Sequence, residues 1–172
     1  MSTAPDDIPQ PRLFTMQLIA AALMIGVVTF LGVVLFLVFV LQNGQGQLPP
    51  GNVPFVSLVA IALFAINTPL ALFLPNQIVK SALRQMARAG KQSDMDQLLS
   101  LRQTTMLIGW AMLEGTAFCA CIGFLLDADV GSLIVVGLNL LLMLALFPTR
   151  NRVRNWLDKQ SMALQDLRNS AP

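Results

Sequence analysis

The chain has no histidine and no tyrosine, only two cysteines, and few charges. The missing histidine removes the commonest metal ligand and the commonest general base. Cys119 and Cys121 stand two apart in one apolar run. On a helix they point about 200° apart and cannot bridge each other, so they read as small packing residues. Charged residues make up 12% of the 172, against about 25% in a soluble domain. No glycine-rich phosphate loop, His-Glu-x-x-His helix or nucleophile elbow occurs. No enzymatic activity, cofactor or metal is therefore expected.

What remains is apolar. Hydrophobic residues make up 55% of the chain, and the mean hydropathy is +0.68. Four long runs stand out, at 13–41, 54–74, 104–126 and 130–147, with one charged residue inside them, Glu114. A helix crosses ~30 Å of hydrocarbon with about 20 apolar residues. The first three runs meet that length; the fourth, of 18 residues, is short and must thin the bilayer or borrow its flanks. Backbone groups in lipid must bond within their own segment, and no alternating strand pattern occurs, so each run is predicted to be an α-helix. The first run is too long for a secretory signal and is read as a retained span. The expected fold is all-α: a polytopic, multi-pass four-helix bundle.

The cations divide cleanly. Arg12 precedes the first run. Lys80, Arg84, Arg88, Lys91 and Arg102 lie between the second and third. Arg150, Arg152, Arg154, Lys159 and Arg168 follow the fourth, and the other two connections have no cation. The positive-inside rule then puts both termini and the middle connection in the cytoplasm. If the source is bacterial, this is the inner (cytoplasmic) membrane. The division is a tail at 1–12, a transmembrane domain at 13–147 and a cytoplasmic helix at 148–172. Because the cations cluster beside spans, no nucleic-acid partner is expected; the partners expected are the lipid bilayer, further copies of the chain or a larger membrane complex.

Residues 75–103 read as a helical hairpin. Pro75 suits the first turn of a helix. Ile78, Val79, Ala82, Leu83 and Met86 recur at helical spacing opposite Lys80, Arg84 and Arg88. Gly90 reads as a stop, and Ser93 with Asp96 as a cap for the next helix. After Pro148, an amphipathic helix carries Val153, Trp156, Leu157, Ala163, Leu164 and Leu167 largely on one face. It is expected on the inner leaflet with Trp156 as an interfacial anchor; a solvated helix and one docked on a partner are the alternatives. Asp127 and Asp129 read as a solvated turn.

Glu114 is ten residues into its span, about 15 Å deep. A carboxylate there costs at least ~2.5 kcal/mol on insertion scales and is a functional candidate by default. Asn139 and Asn67 lie at a similar depth. A Glu114–Asn139–Asn67 hydrogen-bond cluster, with Thr68 as a further member, is therefore expected. It would serve either as interhelical glue or in ion or proton handling. Ala111, Gly115, Cys119 and Gly123 form a stripe of small residues beside Glu114, for packing within the chain or for self-association. Pro69, after Asn67 and Thr68, should kink its helix.

The segment Met106-Leu107-Ile108-Gly109-Trp110-Ala111-Met112-Leu113-Glu114, continued to Leu126, resembles the carboxylate-bearing helix of the proteolipid subunit c of rotary ATP synthases. The resemblance implies that Glu114 binds a proton or a sodium ion. It is confined to that helix: residues 54–74 contain no glycine where the family carries a glycine stripe, and Met86 follows Arg84-Gln85 where the family has proline. The whole chain otherwise resembles small four-span bacterial membrane proteins. The functions expected are a non-enzymatic scaffold or accessory subunit assembling through its transmembrane helices and, as the alternative, proton or ion translocation through Glu114.

Overall fold

A computed structural model describes residues 10–45, 55–88 and 95–169. Those residues are helical and contain no strand. The order is α1 (Gln10–Phe36), a π-helical turn (Leu37–Leu41), α2 (Phe55–Arg88), α3 (Met95–Asp127), α4 (Val130–Ala145) and α5 (Arg150–Asn169). Gly90 and the Ser93 cap lie outside the described residues, as do the residues around Pro49 and Pro50. Three helices are long and apolar enough to cross a membrane. A fourth is reached if α4 and α5, which meet at a bend of 68°, form one span. Alone, the 16 residues of α4 extend about 24 Å and fall short of ~30 Å of hydrocarbon.

α1 ends where the chain turns left-handed. Gln42 N–H donates to Leu37 O at 3.1 Å, and Gly44 N–H to Val38 O at 2.9 Å. Asn43 (φ 54°) and Gly44 (φ 79°) then stop the helix. Only glycine, and less readily asparagine, adopts that conformation at little cost.

α2 differs from the expected break at Pro75. It runs 34 residues without interruption through both Pro69 and Pro75, about 50 Å. Each proline costs one i→i−4 bond, and packing beyond it outweighs that loss. Past Pro75, Val79 and Leu83 are buried with Leu98 and Leu99 of α3 and with Val153, Leu157 and Leu164 of α5. α3 runs 33 residues, about 50 Å, and the ends of α2 and α3 that carry these residues project together.

α5 closes that projection. Val153, Leu157 and Leu164 of its apolar stripe are buried on its own chain, in a cluster with α1, α2, α3 and α4, while Leu167 at its end is exposed. Most of the amphipathic pattern is therefore accounted for by docking within the chain, and the buried part of that face is not free for the inner leaflet. Trp156 lies beside Arg102, whose guanidinium carbon is 5.2 Å from the ring centroid, a cation–π contact.

α3 is the central element. It runs parallel to α1, with Arg12 meeting Asp96 (3.3 Å) at one end and Phe30 meeting Phe118 edge-to-face (5.2 Å) further along. It runs antiparallel to α2 and α4. A second core cluster, with Val27, Val34, Ala117, Ala120, Phe124 and Val136, fills the half away from α5. The basic ends of three helices gather together: Arg12 Nη1 also donates to Asp96 O (3.0 Å), and Gln17 Nε2 donates to Pro148 O (3.1 Å).

Candidate functional site

The residues singled out in the sequence do not form one cluster. Asn67 Nδ2 donates to Thr116 Oγ1 at 3.0 Å, and Thr116 Oγ1 donates back to Met112 O at 2.9 Å. Thr116 follows Glu114 by two positions, so the two side chains point about 200° apart around α3. An asparagine that reaches Thr116 thus faces away from Glu114. Asn139 is fully buried on α4 and donates to Val135 O of its own helix at 3.1 Å, while its Oδ1 has no partner. Thr68 Oγ1 is also without one. Equal depth is therefore not contact here: Asn67 bonds Thr116, Asn139 bonds its own helix, and neither is bonded to Glu114.

Glu114 lies toward α1. A Cβ added at Gly26 would stand 3.7 Å from Glu114 Oε1. The carboxyl is partly exposed, and among the described residues it makes no hydrogen bond or ion pair. It stands at a border. Leu113, Ala117 and Cys121 are buried on one side, while Ala111, Gly115 and Cys119 are exposed on the other. A Cβ at Gly115 would meet nothing within 4 Å.

The small-residue stripe therefore divides. Ala111, Gly115 and Cys119 face outward, and Gly123 faces inward. A Cβ at Gly123 would be 2.9 Å from Ser132 Oγ of α4 and 3.4 Å from Ser57 N and Cα of α2. Gly123 is thus the close-approach point of three helices, whereas its companions leave a shallow, open face.

Near Gly123 lies a contact that the sequence reading missed. Asp127 Oδ2 accepts from the Ser57 N–H at 2.8 Å. Ser57 is the third residue of α2, where backbone N–H groups lack helical partners and the helix dipole favours an anion. Asp127 is therefore an N-cap supplied by the end of another helix, and not a solvated turn residue. Asp129, across the tight turn at Ala128 (φ 50°), makes no side-chain cap on α4. A cap taken from another helix leaves no local spacing signal.

Pro75 explains a second glycine. Its missing N–H releases the carbonyl of Ala71, four residues earlier. That oxygen would lie 3.1 Å from a Cβ at Gly109, so only glycine lets α3 approach the released carbonyl without displacing backbone. Beside it is a partly open cavity of about 240 Å³, between α2, α3 and the end of α4, bordered by Arg102.

No family model, curated protein or solved structure matches this chain.

Proposed function

We propose that this is a four-span protein of the cell membrane with both termini cytoplasmic. In this reading it is a non-enzymatic scaffold or accessory subunit that assembles through the outer face of α3. The topology is supported by the eleven cations, all in segments assigned to one side, and by the contacts that gather the ends of α1, α3 and α4 at Arg12, Asp96 and Pro148. The observation that carries the assembly reading is Glu114: a carboxyl within an apolar helix, unbonded among the described residues, beside the exposed residues Ala111, Gly115 and Cys119. Small residues let another helix backbone come close, and a polar group at such a contact gains a bond that hydrocarbon cannot give. A second copy of the chain supplies both.

Cys119 makes the test direct, because it is exposed on this face while Cys121 is buried. A disulfide requires Cα atoms roughly 4.4–6.8 Å apart. Mild oxidation in native membranes should give a reducible dimer that survives Cys121→Ser and disappears in Cys119→Ser. Monomer alone, with Cys119 still open to a membrane-permeant maleimide, would remove self-association through this face.

The same unbonded carboxyl, with the helix's resemblance to the subunit c carboxylate helix, supports a second reading: proton or ion translocation through Glu114. In that case Glu114→Gln abolishes proton flux in reconstituted vesicles, and a hydrophobic carbodiimide labels Glu114. Flux that is absent, or unchanged by the substitution, ends this reading.

A further inference from the structure

We propose that the cavity at the basic end of α3 binds the headgroup phosphate of an anionic phospholipid, with the Arg102 guanidinium as its counter-charge. This goes beyond the assembly reading and does not depend on the outer face of α3.

Arg102 is a cation with no compensating carboxylate among the described residues. Arg102 is half-buried, and its Nε is buried without a hydrogen-bond partner. Among the described residues no carboxylate pairs with it; its recorded side-chain contact is the Trp156 ring. Taking a charge out of water costs several kcal/mol unless an opposite charge accompanies it. The charge that acts on it electrostatically, Arg152, is of the same sign. Two cations with no paired carboxylate among the described residues describe a site for an anion. Arginine's planar fork matches phosphate oxygens in pairs.

The remaining lining chooses the kind of anion. Asn76 and Thr105 are polar, while Leu72, Met106, Trp110 and Leu146 are apolar. Leu72 is 43% exposed, so the apolar side of the cavity continues onto the outer surface of the bundle. A free phosphate has no use for that surface, whereas an acyl chain does. The position also fits: Arg102 is two residues before the third apolar run, where headgroups would lie. Basic pockets between helices on the cytoplasmic side bind anionic headgroups in this way.

Both tryptophans of the chain border the site, Trp110 in the cavity wall and Trp156 against Arg102, and there is no tyrosine. Intrinsic fluorescence therefore reports on this region. The full-length protein in nonionic detergent would be titrated with phosphatidylglycerol brominated on its acyl chains, with phosphatidylcholine brominated identically, and with inorganic phosphate. The expected result is saturable quenching by phosphatidylglycerol, with half-saturation about tenfold or more below that of phosphatidylcholine. Arg102→Gln should remove that preference, and Asn76→Asp, which puts a carboxylate at the cavity wall, should do the same in a variant that retains Arg102. Equal quenching of the wild type by both lipids would overturn the proposal even if neither variant folds. So would an unchanged preference in a folded variant. Displacement of the lipid by millimolar phosphate, with saturable binding of phosphate alone, would make this a free-anion site and overturn the lipid assignment.

Discussion

Two glycines of α3, six residues apart, should respond in opposite ways to the same substitution. At Gly109 an added Cβ meets Ala71 O at 3.1 Å and Pro75 Cγ at 3.7 Å; at Gly115 it meets nothing within 4 Å. Replacing glycine by leucine inside a helix gains ~0.8 kcal/mol in either place. At Gly109 the obstacle is a backbone carbonyl and a proline ring, neither of which can rotate aside. Overpacking then costs ~3 kcal/mol, the upper end of the usual range. The balance is a loss of about 2 kcal/mol for Gly109→Leu and a gain of about 0.8 kcal/mol for Gly115→Leu. In a domain of this size 1 kcal/mol moves the midpoint by roughly 2–4 °C. The midpoint of thermal unfolding, followed by circular dichroism in a detergent that dissociates the chain to monomers, should fall by about 4–8 °C for Gly109→Leu and stay level or rise slightly for Gly115→Leu. If Gly109→Leu unfolds at the wild-type temperature, α2 and α3 do not meet at the carbonyl released by Pro75, and the packing derived for that end is incorrect.

Other substitutions follow from single contacts. Asn139→Leu should raise the unfolding midpoint, because the buried Oδ1 has no partner and removing an unsatisfied group recovers about 1 kcal/mol; a marked loss would mean that Asn139 bonds a group other than Val135 O. Asp127→Ala should lose about 1 kcal/mol, the worth of an N-cap, and Asp127→Asn less, since the amide oxygen can still accept from Ser57; equal losses in the two would assign the effect to charge alone. Arg12→Gln should change the midpoint little, because its partner Asp96 is exposed and such pairs contribute ~0–1 kcal/mol.

Much of the helical layout was legible in the sequence because one physical rule dominates it. The apolar lengths and the distribution of cations give helices with basic ends, and α1 and α3 lie where those lengths place them. The errors share a cause. Periodicity says which residues lie on one face of a helix, not what that face meets. Val153, Leu157 and Leu164 were legible as a stripe, but a membrane surface and the projecting ends of α2 and α3 are equally apolar partners. Pro75 looked like a helix start because its cost is local, whereas the burial of Val79 and Leu83 that offsets it is not. Asn67 and Glu114 share a depth, but rotation about α3 separates them. Asp127 caps a helix 70 residues earlier in the chain, and nothing in a local window marks such a partner. Glu114 was legible as exceptional from its charge alone; that it borders an exposed small-residue face needed the structure.

The most direct measurement is the number of chains per particle in a lipid bilayer. Fluorophore-labelled protein would be reconstituted into liposomes at decreasing protein-to-lipid ratio and its photobleaching steps counted, for the wild type and for Gly115→Leu. Assembly through the outer face of α3 predicts two steps for the wild type, persisting on dilution, and one step for Gly115→Leu, which meets no obstacle within its own chain. Single steps for the wild type at every ratio, or a dimer that Gly115→Leu leaves intact, would contradict it.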